Sequence, residues 1–115
     1  MRVIIAGGRD FDDFDLLSKK CDSILRNQDN VVVISGNAKG ADELGEKYAR
    51  SKNYNILIFK ADWEKLGKSA GPIRNRRMAE EADALIAFWD GKSKGTKHMI
   101  DTANNLKLKV RVIKY

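Results

Sequence analysis

The sequence contains few of the residues that support disulfide, metal or membrane chemistry. It has one cysteine, Cys21, and one histidine, His98, among 115 residues. These numbers exclude an internal disulfide and a Cys/His zinc site, and no function is assigned to the histidine. No apolar run approaches the ~18 residues that a membrane span requires, and the apolar start Met1–Gly7 is too short for a signal peptide. We therefore expect a cytoplasmic domain with no metal, no membrane contact and no identified cofactor.

Length and charge are those of one globular domain. The chain is 43% apolar and 33% charged, which fits a single domain over residues 1–115. Residues 1–59 carry nine basic and nine acidic side chains, whereas residues 60–115 carry thirteen and seven. The whole net charge of +6 thus comes from the second half. This excess fits an anionic small ligand, a nucleic acid or solvated surface lysines.

Short apolar runs alternate with helical patterns along the chain. The runs are Val3–Ala6, Val31–Ile34, Ile56–Phe59, Ala84–Phe88 and Val110–Ile113. The first four are continuous, as in strands buried on both faces, and Arg111 marks the last as an edge strand. Apolar residues at helical spacing predict four helices between the runs, the third with Pro72 in its first turn. This alternation predicts a single Rossmann-like α/β domain with about five parallel strands and helices on both faces of the sheet.

The segments that follow the predicted strands are rich in glycine. Ligands of open parallel sheets bind beyond the carboxyl ends of the strands, and glycine lets a ligand approach the main chain closely. Two of these segments lead into helices, whose free N–H groups and dipole favour an anion, although neither is a Walker or G-x-G-x-x-G motif. The predicted ligand-binding residues are Gly7, Gly8, Arg9, Asp10, Gly36, Asn37, Ala38, Lys39, Gly40, Asp42, Arg74, Asn75, Gly91, Gly95 and Thr96.

Three arginines stand near the start of the third predicted helix, after a connection over residues 61–72 whose length is typical of functional loops. The helix dipole disfavours cations at this place by ~0.3–1 kcal/mol each. Two of the arginines have a glutamate four residues further on, in the pairs Arg76–Glu80 and Arg77–Glu81. Arg74 has no such partner, so we predict that it binds an anionic ligand.

Four short motifs in order resemble the SLOG superfamily of Rossmann-like domains, and within it the YspA-like branch found in bacteria and phages. The motifs are Arg2–Phe11, Gly36–Asp42, Ala61–Trp63 and Ala70–Met78. The superfamily includes the LOG-type nucleotide phosphoribohydrolases and the DprA-like proteins. The resemblance implies a phosphate-bearing, nucleotide-like ligand. Since LOG-like relatives are typically dimers, it also implies a symmetric homodimer.

The resemblance to the LOG-type enzymes breaks at one catalytic position. Those enzymes carry an Arg-Lys-x-x-Met helix and a Pro-Gly-Gly-x-Gly-Thr-x-x-Glu loop, whose arginine and glutamate act in cleaving the N-glycosidic bond of nucleoside 5′-monophosphates. Here Arg74 and Met78 match the helix, and Gly95 and Thr96 match the loop. The glutamate position is Met99, which has no carboxylate. Hydrolysis by the LOG mechanism is therefore not expected.

Binding or sensing of a nucleotide is the function that these residues favour. The phosphate would lie on the loops at 36–42 and 91–96 near Arg74, with the base or ribose near Gly8, Arg9 and Asp10.

Two other functions remain open. One is a nucleotide hydrolase, in which Asp10, Asp42, Asp90 or Asp101 replaces the missing glutamate; its catalytic candidates are Arg74, Asp10 and Asp90. The other is a nucleic-acid-binding accessory protein that uses the basic second half. Isolated glycine loops argue against the latter, because tracking a phosphate backbone needs a continuous basic stripe.

Overall fold

A five-stranded parallel sheet forms the centre of the protein in the computed structural model, which describes residues 1–115. The strands are β1 (Arg2–Gly7), β2 (Val32–Ser35), β3 (Asn55–Ile58), β4 (Ala84–Trp89) and β5 (Lys109–Lys114). They lie in the order β3-β2-β1-β4-β5, and every pairing is parallel. The predicted sheet is confirmed, with β5 at an edge as Arg111 indicated.

Helices cover both faces of the sheet, as predicted. They are α1 (Phe14–Leu25), α2 (Ala41–Ser51), α3 (Trp63–Leu66), α4 (Ala70–Glu81) and α5 (Lys94–Asn105). The helices α1 and α2 pack on one face, and α4 and α5 pack on the other. Pro72 lies in the first turn of α4, where its missing N–H leaves no intrahelical bond unmade.

Alternate residues of the central strands supply two separate cores. In β1, Val3 and Ile5 point into the core beneath α1 and α2, whereas Ile4 and Ala6 point into the core beneath α4 and α5. This division follows from the two-residue period of a strand and explains why the run is apolar throughout. Cys21 is buried in the first core, and burial raises the pKa of its thiol to about 12.

The third apolar run differs from the prediction, because β3 is the second edge strand of the sheet and is not buried on both faces. Leu57 is 37% exposed and Ile58 is 49% exposed. A continuous apolar run does not distinguish a central strand from an edge strand that the neighbouring helices leave partly uncovered.

Two further details of the chain between β3 and β4 were not predicted correctly. The long connection contains α3 and a 3-10 turn (Gly67–Ser69), and Asp62 caps α3 by accepting the N–H of Lys65 at 3.2 Å. In α4 the pair Arg76–Glu80 is present at 3.7 Å. Arg77 does not pair with Glu81: its guanidinium lies over the Phe59 ring, 5.8 Å from the centroid, and Glu81 approaches Arg2 at 3.8 Å.

The strand order reverses between β1 and β4. The chain adds β2 and β3 on one side of β1, and then β4 and β5 on its other side. Crossover connections leave this switch point open at the carboxyl ends of the strands, where parallel sheets bind ligands. None of the helices is long and apolar enough to cross a membrane. No group of three or more potential metal-ligating His, Cys, Asp or Glu side chains is present.

Candidate functional site

A cavity of about 320 Å³ lies at this switch point, within the size range of small-molecule sites. We call it the switch-point cavity. Its walls come from the end of β1, the start of α2, the first half of α4 and the start of α5. The predicted site residues that line it are Gly7, Arg9, Ala38, Asp42, Arg74, Asn75, Gly95 and Thr96.

A second cavity of about 480 Å³ adjoins the first on the side of β2 and β3. We call it the side cavity. The two share four lining residues, which are Arg9, Ala38, Trp63 and Arg74. The predicted residues Gly36, Asn37 and Lys39 line the side cavity only.

Four predicted residues line neither cavity: Gly8, Asp10, Gly40 and Gly91. Gly8 and Gly40 form the contact between the loops that follow β1 and β2. Gly40 has a φ of +79°, and a Cβ there would stand 2.3 Å from the carbonyl oxygen of Gly8. The Gly8 carbonyl also accepts the N–H of Ala41 at 3.1 Å. These glycines therefore position the cavity wall without facing the cavity.

Arg74 is fixed in the wall that the two cavities share. Its Nη1 donates to the carbonyl oxygen of Gly36 at 2.6 Å, and its Nε donates to Oδ1 of Asn75 at 3.1 Å. Its Nη2 donates to no protein atom, and no carboxylate lies within 4.0 Å of the guanidinium. Burial lowers the pKa of Arg74, which Asp42 partly opposes, but an arginine remains charged. A positioned guanidinium with a free Nη2 group is suited to binding an oxyanion.

Gly36 makes the position of Arg74 possible. A Cβ at residue 36 would lie 2.5 Å from Nη1 of Arg74 and 2.9 Å from Oδ2 of Asp42. The glycine after β2 is therefore required because a guanidinium and a carboxylate pack directly against the main chain.

Asp42 is the one acidic residue that lines the switch-point cavity. It is 6% exposed, and its Oδ2 accepts the N–H of Ala38 at 3.1 Å. Burial raises the pKa of Asp42 to about 6, against the lowering effect of the Ala38 hydrogen bond, Arg74 and Arg9. This carboxyl group can therefore change its charge near neutral pH.

A buried polar network that sequence reasoning missed supports the loop after β2. The Ser35 hydroxyl donates to Oε2 of Glu46 at 2.6 Å and accepts the N–H of Asn37 at 3.0 Å. Nδ2 of Asn37 donates to the same glutamate oxygen at 3.0 Å. These bonds hold Asn37 at a φ of 59°, a conformation that asparagine tolerates. The available signal was the spacing of Glu46, which shares a helical face with Asp42 four residues before it and with the apolar Ala49 three residues after it.

A second set of contacts joins α4 to α5 across the cavity. Nδ2 of Asn75 donates to the carbonyl oxygen of Gly95 at 3.4 Å and lies 3.2 Å from Nδ1 of His98. His98 and Trp63 both line the switch-point cavity, although neither was predicted as a site residue. The indole of Trp63 is available for stacking, because the residue is 50% exposed.

The start of α5 presents its first turn to the cavity. Ser93 caps the helix by accepting the N–H of Thr96 at 3.3 Å, and the two hydroxyl oxygens lie 3.0 Å apart. A Cβ on Gly95 would meet nothing within 4 Å, so this glycine faces open space. The first N–H groups of a helix have no intrahelical acceptor, so those of this turn are available to a ligand beside Lys94.

The other carboxylates that were considered as catalytic groups do not line the cavity. Asp10 accepts the Tyr115 hydroxyl at 2.6 Å. Asp90 accepts the N–H groups of Lys92 and Ser93 at 2.8 Å each, and these hydrogen bonds lower its pKa. Asp101 pairs with Lys97 at 2.7 Å.

The fold and the cavity define a Rossmann-like domain with a polar, cationic site at its switch point. The model of the YspA, cpYpsA-related SLOG family matches residues 1–66, and the chain belongs to this family, as its motifs predicted. It is similar to the Gene 61 protein of Mycobacterium phage D29, with 37% identity over 112 residues that cover 89% of this chain and 87% of that protein.

The fold is also similar to a solved structure, that of DNA processing protein A (DprA) from Streptococcus pneumoniae. The TM-score is 0.77 at 19% sequence identity, and the match covers 99% of this chain. It covers 50% of the DprA chain, so this protein spans half the length of that relative. At this identity the similarity establishes the shared fold.

Proposed function

We propose that this protein binds a nucleotide in the switch-point cavity through the phosphate group. The observation that carries the proposal is Arg74, which is held by a backbone carbonyl and a neighbouring amide, has no carboxylate within 4.0 Å, and keeps Nη2 free. An ordered guanidinium of this kind favours phosphate, because its free Nη2 can donate a charge-assisted hydrogen bond to a phosphate oxygen.

Other cavity groups support an anion in the same place. Arg9 and Lys94 also line the cavity, so three cations face one carboxylate, that of Asp42. Gly95 leaves open space at the start of α5. We place the phosphate between Arg74 and this helix start, with the ribose or base toward Gly7 and Arg9.

Titration calorimetry with AMP, adenosine and inorganic phosphate tests the proposal. We expect AMP to bind at least tenfold more tightly than adenosine. A single phosphate contact also predicts a shallow salt dependence, whereas many backbone contacts give a steep one. Equal affinity for adenosine and AMP, or no heat with AMP at millimolar concentration, would contradict the proposal. Native mass spectrometry of freshly purified protein provides an independent check for a co-purifying nucleotide.

A nucleotide hydrolase is the second candidate, and Asp42 is the observation that favours it. Its carboxyl group lines the cavity and has a pKa raised by burial to about 6, which suits a general acid or base. Release of free adenine from AMP that is lost in Asp42→Asn would support this function over simple binding.

We further propose that the protein forms a symmetric homodimer. The partly exposed apolar residues Leu57 and Ile58 on β3 are compatible with a subunit contact. Sedimentation at tens of micromolar should show a particle twice the 13.0 kDa chain mass; a 13.0 kDa particle would refute the dimer.

A further inference from the structure

The side cavity contains cations that nucleotide binding in the switch-point cavity does not use. Lys39 and Lys60 line it together with the shared residues Arg9 and Arg74, and none of its lining residues is acidic. Neither lysine has a carboxylate within 4.0 Å. Four cations that line one concave surface, with the nearest carboxylate, that of Asp42, outside its lining, are the arrangement expected of an anion site.

The two cavities adjoin each other at a shared set of lining residues. Arg74 and Arg9 line both cavities. The Gly36 carbonyl oxygen holds Arg74 in place by accepting a hydrogen bond from its Nη1. Trp63 stands at the same junction and is 50% exposed. A ligand that extends beyond Arg74 would therefore lie beside an aromatic ring that can stack on a base.

The position of Trp63 is built into the local structure. Asp62 caps the short helix α3 that carries the indole. Gly71 lies under the ring, where a Cβ would stand 3.2 Å from its Cη2. The indole thus lies against the start of α4, at the boundary between the two cavities.

We propose that the physiological ligand is a nucleotide with a second phosphate group, which binds in the side cavity to Lys39 and Lys60. This inference rests on the proposed nucleotide binding and extends it to the class of ligand. We assign the second phosphate to a small molecule and not to a nucleic acid. The reason is that the cations that converge without carboxylate partners line these two adjoining cavities. The groove beyond Pro72 and His98 contributes one further cation, Arg76, which is paired with Glu80.

Affinities for a graded set of probes test this proposal. The probes are AMP, ADP, the 5′-phosphorylated dinucleotide pApA, and 5′-phosphorylated oligoadenylates of four and eight nucleotides. We expect ADP or pApA to bind at least fivefold more tightly than AMP, with no further gain for the longer chains. The pair ADP and pApA distinguishes adjacent phosphates from phosphates separated by a nucleoside.

Lys60→Ala is the decisive variant, because Lys60 lines the side cavity alone. It should reduce the affinity ratio between the two-phosphate probe and AMP toward one. Lys65→Ala is the matched control: it removes the same charge from the neighbouring helix α3, outside both cavities, and should leave the ratio unchanged.

The outcomes separate this inference from the proposal on which it rests. A protein that binds none of the probes overturns both. Binding of AMP without any gain from a second phosphate, or a gain equally large in Lys60→Ala, overturns the inference alone. Affinity that keeps rising with oligonucleotide length, with a steep salt dependence, overturns it in favour of a nucleic-acid ligand.

Discussion

The two edges of the sheet differ in where they place polar groups. All five buried polar residues are associated with the carboxyl edge: Ser35, Asp42, Glu46, Asn75 and Thr96. They end a strand, begin a helix or bond to such residues, and all of their buried side-chain polar atoms have hydrogen-bond partners.

At the amino edge, ionic groups pair at the surface. The N–H of Arg2 donates to Oδ2 of Asp83 at 2.8 Å, and the Asp83 N–H donates to the Arg2 carbonyl at the same distance. Asp22 at the end of α1 pairs with Lys52 at 3.0 Å, and its side chain is 48% exposed. These contacts stabilise the end of a strand and the end of a helix at the solvent-exposed surface.

Burial of polar groups has an energetic cost that this fold carries at its carboxyl edge. A polar side chain removed from water costs about 1–3 kcal/mol unless it is hydrogen-bonded. The buried polar side chains at the carboxyl edge form such networks around the cavities, whereas at the amino edge the buried Tyr48 donates its hydroxyl to the exposed Asp22 at 2.8 Å. Concentration of buried, perturbed groups in a cavity is typical of a functional site.

The largest expected effect concerns catalysis at the carboxyl edge. Met99 is 1% exposed and lines the cavity at the LOG glutamate position, so the group that would stabilise a ribose cation is absent there. Loss of such a group typically lowers the rate by ~10²–10⁴. We expect wild-type protein to release adenine from AMP far more slowly than ~1 s⁻¹, followed by chromatography.

The result also tests Asp42 as a replacement. Turnover near that of ordinary enzymes would contradict the prediction, and its loss in Asp42→Asn but not in Asp90→Asn would identify the carboxylate responsible. An inactive wild type that gains activity in Met99→Glu would instead support a lost or repurposed active site.

Arg74→Ala has the next largest effect, on binding. Removal of one charge-assisted phosphate contact costs ~1.5–3 kcal/mol, so the affinity for AMP should fall at least tenfold in calorimetry. Arg76→Ala is the matched control, since Arg76 lies on the same helix and pairs with Glu80 at the surface. Equal affinities of Arg74→Ala and wild type would remove the main support for the site.

The fold was predictable from the sequence to the extent that local pattern determines it. Continuous runs such as that containing Ile4 and Ile5 indicated buried strands, and their alternation with helices fixed the sheet as parallel. The exposure of Leu57 and the pairing of Glu81 with Arg2 were not predictable, since both depend on which elements become neighbours.

The sequence indicated part of the cavity lining, but it missed Lys60, Lys94 and the supporting network. Arg74 was found because its helix offers it no partner. The contacts of Glu46 with Ser35 and of Asn75 with His98 join elements distant in sequence, and no local spacing reveals them. The sequence named Asp10, and not Asp42, among the catalytic candidates, whereas the structure brings Asp42 to the cavity.

Asp42→Asn should change the pH dependence of stability at the carboxyl edge. Burial raises the pKa of folded Asp42 to about 6 from an ordinary value of 3.8, so the folded state holds its proton more tightly than the unfolded state. The stabilisation is complete below pH 3.8 and is lost as the pH rises through about 6. We expect wild type to lose on the order of 3 kcal/mol relative to Asp42→Asn over this range in urea denaturation without ligand. Parallel pH profiles for the two proteins would contradict this.

Asp22→Asn tests the other edge and should have the smallest effect, with the opposite pH dependence. Hydrogen bonds from Lys52 and Tyr48 lower the pKa of Asp22, with a further contribution from the Lys52 charge. Its stabilisation is therefore present above the ordinary value of 3.8 and is lost as the pH falls through the lowered pKa.

Because Asp22 is largely exposed, solvent and salt screen the pair, and the loss at neutral pH should stay below about 1 kcal/mol. The measurement is urea denaturation of wild type and Asp22→Asn from pH 3 to 8 at low and high salt. Asp12→Asn is the control, because Asp12 is exposed and forms no ion pair. If the stability lost in Asp22→Asn grew toward acid pH, or were as large as the Asp42 effect, the two edges would not differ in the way their carboxylates are held.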